Sequence, residues 1–285
     1  MEQTRTVLLP LDLFPLAERR AVRAVLTDID DTLTHDGYLP AKAYEAMEKL
    51  RAAGYLVIPV TGRPAGWCDL IARLWPVDGV VGENGAFYFR YLKEQRRMLR
   101  VYTRDEETRR ADKHGLKRIE GRVLAEIPGC RISVDQPYRE ADLAVDFAED
   151  VQPLPREDIE RIVRIFEEEG AQAKVSSIHV NGWFGSYDKL SMARRIMAEQ
   201  FGIDIDTPEG NRSVVFSGDS PNDEPMFAFF RHSVAVANFM AFADRVQHQP
   251  QWLTRSCGGE GFSELAACLI EAGGGQRGKD AAEAS

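Results

Sequence analysis

The run Ala21-Val22-Arg23-Ala24-Val25-Leu26-Thr27-Asp28-Ile29-Asp30-Asp31-Thr32 decides how this chain is read. Its first seven residues are mostly apolar and rich in Val and Leu, the pattern of a short, largely buried strand. The apolar stretch breaks at Asp28 into a polar turn. Beyond it, Ala43, Ala46, Met47 and Leu50 recur at helical spacing. That spacing predicts a helix over 41–53, with Gly54 at its C′ position. Residues 55–60 read as a second buried strand, although Pro59 cannot donate to a ladder. A helix over about 65–74 and a short strand over 79–82 follow. Strand, helix, strand, helix, strand at this spacing predicts a parallel sheet with helices on its faces.

The same rhythm returns after Tyr187. A helix over 189–200 ends near Gly202, a strand over 213–216 leads into a loop over 218–223, and a helix over 224–230 precedes a strand over 234–237. Between these halves, from about Arg90, the chain is more charged. Strands over 87–91, 131–134, 143–147 and 174–180 lie beside helices over 104–126 and 155–169. Grouped strands beside helices suggest an inserted α+β unit. The expected fold class is therefore α/β: a doubly wound parallel-sheet (Rossmann-like) core of residues 1–88 and 186–285, with an α+β cap over 89–185. Residues 1–20 are a lead-in without an assigned role, and 273–285, rich in Gly, Ala and charge, read as a disordered tail.

Composition narrows the functional classes. The chain has 285 residues, 44% of them hydrophobic and 28% charged, and 36 basic against 45 acidic side chains give a net charge of −9. An acidic surface argues against a general nucleic-acid binder, which needs clustered Lys and Arg. No apolar run approaches the ~20 residues of a membrane helix, and the first residues make a poor secretory signal. Four cysteines stand far apart with no CxxC pair. That spacing suggests neither a disulfide framework nor a zinc site and fits a reducing cytoplasm. There is no P-loop, GxSxG or HExxH motif, and Gly259-Glu260-Gly261 lacks the third glycine of a dinucleotide loop.

Three polar clusters each follow a predicted strand: Asp28/Asp30/Thr32, Thr61/Gly62/Arg63 and Asp219/Asn222/Asp223. In an open parallel sheet, ligands bind beyond the carboxyl ends of the strands. Asp28 and Asp30, two apart, share a face of an extended chain. Two such carboxylates repel unless a cation lies between them or one holds a proton. Mg²⁺ suits them, and Asp219 offers a third oxygen. A carboxylate is also a competent nucleophile at phosphorus, and a second acid can protonate the leaving oxygen. Thr61 and the amides after it suit phosphate oxygens. Lys189 opens a predicted helix, where its charge opposes the dipole unless an anion lies near. Any one of these aspartates alone reads equally as a turn former or helix cap. The ordered set of three clusters is what points to chemistry.

In that order, Asp28-Ile29-Asp30-Asp31-Thr32-Leu33, Thr61-Gly62-Arg63, Lys189 and Gly218-Asp219-Ser220-Pro221-Asn222-Asp223 resemble the haloacid dehalogenase-like hydrolase superfamily. The long insertion between the second and third motifs, with Glu83-Asn84-Gly85-Ala86 and Gly258-Gly259-Glu260-Gly261-Phe262, resembles its Cof-type (IIB) branch, which includes sugar phosphatases. The resemblance covers about 21–88 and 186–270. It implies a Mg²⁺-dependent phosphatase acting on sugar phosphates or related small phosphate esters. Asp28 would be the nucleophile and Asp30 the general acid, then base. Thr61, with Gly62, would bind the transferring group, and Lys189 would hold Asp28 and phosphate together. Asp28, the Asp30 carbonyl and Asp219 would ligate Mg²⁺. Asn222 and Asp223 would orient lysine, water or metal, Asn222 at the substrate and Asp223 at the metal. Arg63 is common in this branch and is assigned to substrate or to structure. Asp31 stands where the family often has glycine.

Substrate choice would then fall to the cap. Alternation puts Ser177, His179 and Asn181 on one face, where they would read sugar hydroxyls, with Trp183 stacking on a ring. The alternative is that these are ordinary sheet residues and that Trp183 lies in the junction between the two units. Two other functions stay open on the same fold: a sugar phosphomutase, and a metabolite-binding protein without catalysis. No nucleic-acid or membrane partner is expected, and the oligomeric state is not legible.

Overall fold

The structure, a computed structural model, describes residues 8–176 and 178–273. Its strands are β1 (Leu9–Pro10), β2 (Ala24–Thr27), β3 (Leu56–Pro59), β4 (Val80–Gly82), β5 (Phe87–Leu92), β6 (Arg97–Tyr102), β7 (Arg131–Ile132), β8 (Asp142–Asp146), β9 (Gln172–Val175), β10 (His179–Trp183), β11 (Val214–Gly218), β12 (His232–Ala235) and β13 (Trp252–Leu253). Its α-helices are α1 (Leu16–Ala21), α2 (Ala41–Ala52), α3 (Ala65–Leu74), α4 (Glu106–Glu126), α5 (Arg156–Glu168), α6 (Lys189–Phe201), α7 (Pro208–Arg212), α8 (Glu224–Phe229) and α9 (Gly258–Glu271). None is long and apolar enough to cross a membrane.

Six strands form one parallel sheet in the order β1-β13-β12-β11-β2-β3. Alternation along them divides the core in two. Val25, Val57, Val215 and Val234 pack with Met47 of α2, Ile71 of α3 and Leu265 of α9. Leu26, Ile58 and Phe216 pack with Met192 and Ile196 of α6 and Met226 of α8. Burying a large aliphatic side chain contributes about 1.5–3 kcal/mol, so strands apolar on both sides require helices on both faces. This is the doubly wound arrangement expected from the apolar strands. The order reverses at β2, with β11 on one side and β3 on the other, which opens a crevice at their carboxyl ends.

Pro59 sits in β3 without harm. Leu56 N and Val60 N donate to Arg23 O and Thr27 O of the β2 side. The N–H groups of the odd-numbered residues therefore point away from β2, and Val57 N donates to the Asp78 carboxylate. Pro59 lacks a donor only where the neighbouring strand needs none. Beyond this edge, a bridge from Val60 to Val81 leads into the antiparallel sheet β4-β5-β6. Tyr88 and Arg90 of β5 hydrogen-bond to Glu199 and Gln200 of α6, so this hairpin lies against the parallel-sheet unit.

A separate antiparallel sheet, β7-β8-β10-β9, carries α4 and α5 on one face. Ile119, Val123, Ile162 and Phe166 bury Val145 and Val180 there. The strand expected across 174–180 is two strands of a hairpin. Ser176 turns the chain: its Oγ accepts from His179 N at 2.9 Å, and its own N–H donates to His179 O. A side chain competing locally for the backbone in this way leaves no mark in a hydropathy pattern.

Other elements had no expected counterpart. β6, α9 and most of the lead-in are ordered. Phe14 is buried and stacks on Trp252, while Glu18 pairs with Arg212 and His232. The tail expected from Gly273 onward lies, from residue 274, outside the described residues.

Candidate active site

Asp28 follows the last residue of β2, held by its N–H to Ser217 O of β11. Its carboxylate is buried, and Oδ1 accepts from Lys189 Nζ at 2.7 Å. The same ammonium donates to Asp223 Oδ1 at 2.8 Å. Burial opposes the lysine's charge, but Asp223 and Asp28 outweigh it and hold its pKa above the ordinary range. Burial pushes the Asp28 carboxyl up to about 7; Asp223 and Asp30 add to this and Lys189 opposes it. Lys189 is the first residue of α6, with Asp188 and Ser191 forming a capping box around it. Its conflict with the helix dipole is met by two carboxylates, where the sequence suggested an anionic ligand.

Asp219 follows β11. Its two oxygens accept from Thr32 Oγ1 at 3.1 Å and Asn238 Nδ2 at 3.2 Å. Burial, Asp223 and Asp28 raise its pKa well above the usual value. Oxygens of Asp28, Asp219 and Asp223 lie within 4.8 Å of one another. Three hard donors face one lysine, a charge balance that suits one more cation of the Mg²⁺ or Ca²⁺ kind. The Asp30 carboxylate is outside this group. Arg63 holds it by both oxygens, Nε to Oδ2 at 3.0 Å and Nη2 to Oδ1 at 2.7 Å, with the guanidinium over the Trp67 ring. Asp31 has φ +58°, a left-handed conformation that glycine takes freely and aspartate tolerates.

Thr61 lies two residues beyond β3 and is fully buried, its Oγ1 accepting from Arg63 N at 3.0 Å. The loop is steadied from Glu83-Asn84-Gly85, three successive residues with positive φ. Glu83 N and Asn84 N donate to Arg63 O and Thr61 O. Gly85 is required: a Cβ there would lie 2.0 Å from Asp188 O, at the cap of the helix that carries Lys189.

Asp28, Asp30, Gly62, Arg63, Asp219 and Asn222 line one cavity of about 350 Å³, together with His179 and Asn181 of the second sheet. Alternation along β10 turns these two away from α4 and α5, as the period of two predicts. Asn181 Nδ2 reaches Asp142 at 3.3 Å, and His179 Nε2 lies 2.8 Å from Glu149 without hydrogen-bond alignment. Burial lowers the His179 pKa. Ser177 lies outside the described residues. Trp183 does not face the cavity: it is buried in the core, with Nε1 donating to Tyr187 O, the junction alternative. Lys189 lines a second cavity of about 320 Å³, which shares Asn84 and Asn222 with the first.

Sequence reasoning did not find Asn238, Arg139 or Arg245. Asn238 sits on a 3₁₀ turn and ties Asp219 to Asp31 O and Gly258 N. Arg245 lines the cavity beside Phe242. No motif or periodicity marks these residues, and the bonds of Asn238 and Arg139 reach across the fold.

A parallel sheet that gathers carboxylates at its reversal point, faced by an inserted antiparallel sheet, defines a two-unit α/β architecture. Residues 25–109 match the family model described as haloacid dehalogenase-like hydrolase. Among solved structures, a Thermoplasma acidophilum protein superposes with a TM-score of 0.68 at 19% identity, over 87% of this chain and 98% of its own. The C-terminal domain of the trehalose-6-phosphate phosphatase of C. albicans gives 0.67 at 15% identity, over 94% and 98%. A subclass IIB sugar phosphatase of the superfamily gives 0.60 at 15%, over 87% and 97%. At such identities these likenesses concern the fold. No curated protein matches the chain by sequence. Over residues 25–109 the chain is similar to the haloacid dehalogenase-like hydrolases, and its fold is shared with the solved structures above.

Proposed function

We propose that the protein is a Mg²⁺-dependent phosphatase that hydrolyses phosphate monoesters of sugars or related small metabolites through an aspartyl-phosphate. The observation that carries this reading is the buried Asp28 carboxylate at the end of β2, 2.7 Å from Lys189. It stands beside the Asp219–Asp223 pair, which can hold a divalent cation. Asp28 attacks phosphorus as the P–O ester bond breaks, and Asp30 gives its proton to the departing oxygen. Asp30 then takes a proton from water, which attacks the aspartyl-phosphate. The P–O bond to Asp28 breaks and inorganic phosphate leaves. Arg63 holds Asp30 by both oxygens, so proton uptake by Asp30 requires that grip to loosen. Lys189, Thr61 and the Gly62 amide hold the charge on the transferring group, which supplies most of the catalysis in phosphoryl transfer. Mg²⁺ bound by Asp28, Asp219, Asp223 and the Asp30 carbonyl would neutralise phosphate charge during attack.

The similarity to a trehalose-6-phosphate phosphatase and a sugar phosphatase supports a sugar phosphate as substrate. So does a cavity in the size range of small-molecule sites. We take the second sheet with α4 and α5 as the cap, with His179 and Asn181 reading the organic part of the ester. The test is phosphate release with Mg²⁺ from glucose 6-phosphate, fructose 6-phosphate, trehalose 6-phosphate and acetyl phosphate, alongside Asp28→Asn. Release by the wild type alone supports the reading. Accumulation of a positional isomer without release would mark a mutase, and equal release by both proteins would exclude Asp28 as nucleophile.

A further inference from the structure

Glu83 is fully buried, yet both its oxygens are engaged only by backbone N–H groups. Oε1 accepts from Ala65 N at 2.8 Å and Glu140 N at 2.9 Å; Oε2 accepts from Ala141 N at 2.6 Å and Asp142 N at 3.2 Å. Ala65 opens α3, just after the Thr61–Arg63 loop. Glu140 to Asp142 lead into β8 of the cap. One core carboxylate therefore ties the two units together. From the other side, Arg139 donates to Gly62 O at 3.1 Å, and holds Asp135 and Asp142 by further bonds. Asp142 in turn accepts from Asn181 on the cavity wall.

Resting on the function proposed above, we infer that Glu83 and Arg139 form a clasp that sets the substrate-facing strand β10 in register with the phosphoryl-binding loop 61–63. Both are positioning residues for the organic part of the substrate. Three features favour this over simple packing. The clasp lies between the cavity's two walls, and its cap side, Arg139 to Asp142, is far in sequence from the segments that enter and leave the cap. The Glu83 conformation, φ +42°, is one that a non-glycine residue keeps only where its surroundings impose it. Both Glu83 oxygens accept and neither donates, which is the arrangement of a carboxylate. Burial and Asp142 push its pKa up to about 8, while Arg139 and the Glu140 and Ala141 N–H groups oppose them. Nearby, the Tyr138 side chain fits against Gly66, 3.0 Å from where a Cβ would stand.

The test combines amide hydrogen exchange on the full chain with kcat and KM, for wild type, Glu83→Gln and Arg139→Lys. Gln presents an amide N–H to donors. Lys cannot span Asp135, Asp142 and Gly62 O together. In both variants the amides of Ala65 and 140–142 should exchange at least ~10-fold faster, while those of β11 keep their protection. KM for the best sugar phosphate of the panel should rise at least ~10-fold more than KM for acetyl phosphate, whose organic part is too short to reach β10. Unchanged exchange, or equal effects on the sugar phosphate and acetyl phosphate, would overturn the clasp. Should Glu83→Gln fail to fold, Arg139→Lys carries the test. A wild type that releases phosphate from neither substrate would sink the phosphatase reading instead, and exchange at 140–142 would then decide whether the clasp exists.

Discussion

The Lys189 ammonium stands 2.7 Å from Asp28 Oδ1, joining the first residue of α6 to the carboxylate that follows β2. These residues are 161 positions apart, and the contact exists only because α6 covers the sheet face beside β2 and β11. Asp28 and Asp223 share this one cation, so under the proposed mechanism the bond joins charge balance to catalysis.

Lys189→Met keeps length and removes the charge. It leaves two buried carboxylates facing each other, a change that typically costs about 3–5 kcal/mol. Urea unfolding should report that loss. Phosphate release by the folded fraction should fall at least ~100-fold, as for loss of a preorganised charge stabiliser. Activity within ~3-fold of wild type would remove Lys189 from the mechanism.

Chelation by EDTA should abolish release, and Mg²⁺ should restore it. Ca²⁺, which prefers more ligands at longer distance, should restore much less. Asp219→Asn should raise the Mg²⁺ concentration needed for half-maximal activity by ~10-fold or more. Full activity in EDTA would refute the metal requirement.

Gly85→Ala should disturb Lys189 from a distance. The added Cβ would meet Asp188 O at 2.0 Å, and φ +102° is unfavourable for alanine. Strain of this kind costs about 1–3 kcal/mol. Thermal unfolding should drop accordingly, and kcat should fall more than KM changes, because the start of α6 shifts.

His232 should make stability depend on pH. Burial lowers its pKa to about 4, with Arg231 and Arg212 assisting and Glu18 opposing. The unfolded chain titrates near the ordinary 6.5. Between those values the unfolded state binds more protons, so stability falls as pH drops from 6.5 toward 4 and is unaffected above 6.5. The full effect is on the order of 3 kcal/mol at 1.36 kcal/mol per unit. Urea unfolding at pH 7 and pH 5 should show a smaller difference in His232→Gln than in wild type. Equal differences would remove His232 as the source.

Much of the fold was legible because its signals are local. Ala43, Ala46, Met47 and Leu50 mark α2 by spacing alone. The helix expected over about 65–74 is α3, Ala65–Leu74. The apolar β2 and β3, each stopped by polar residues, already imply a sheet covered on both faces. The motif residues were legible for the same reason: each cluster lies within a few residues of a strand end. The order of the clusters along the chain supplied the family resemblance.

The tertiary structure decided what depends on distant partners. The turn at Ser176 divides the stretch expected as one strand into two, and no count of residues foretells it. The charged β6 is a strand because β5 pairs with it. Trp183 is a junction residue because the core closes over it. Asn238, Glu83 and Arg139 gain their roles from hydrogen bonds that span the two units or distant loops. Side-chain type and spacing determine which local structures a segment prefers and which chemistry it can offer. Which groups meet, and which share a charge, is settled only when remote segments are packed together and their buried polar atoms must find partners.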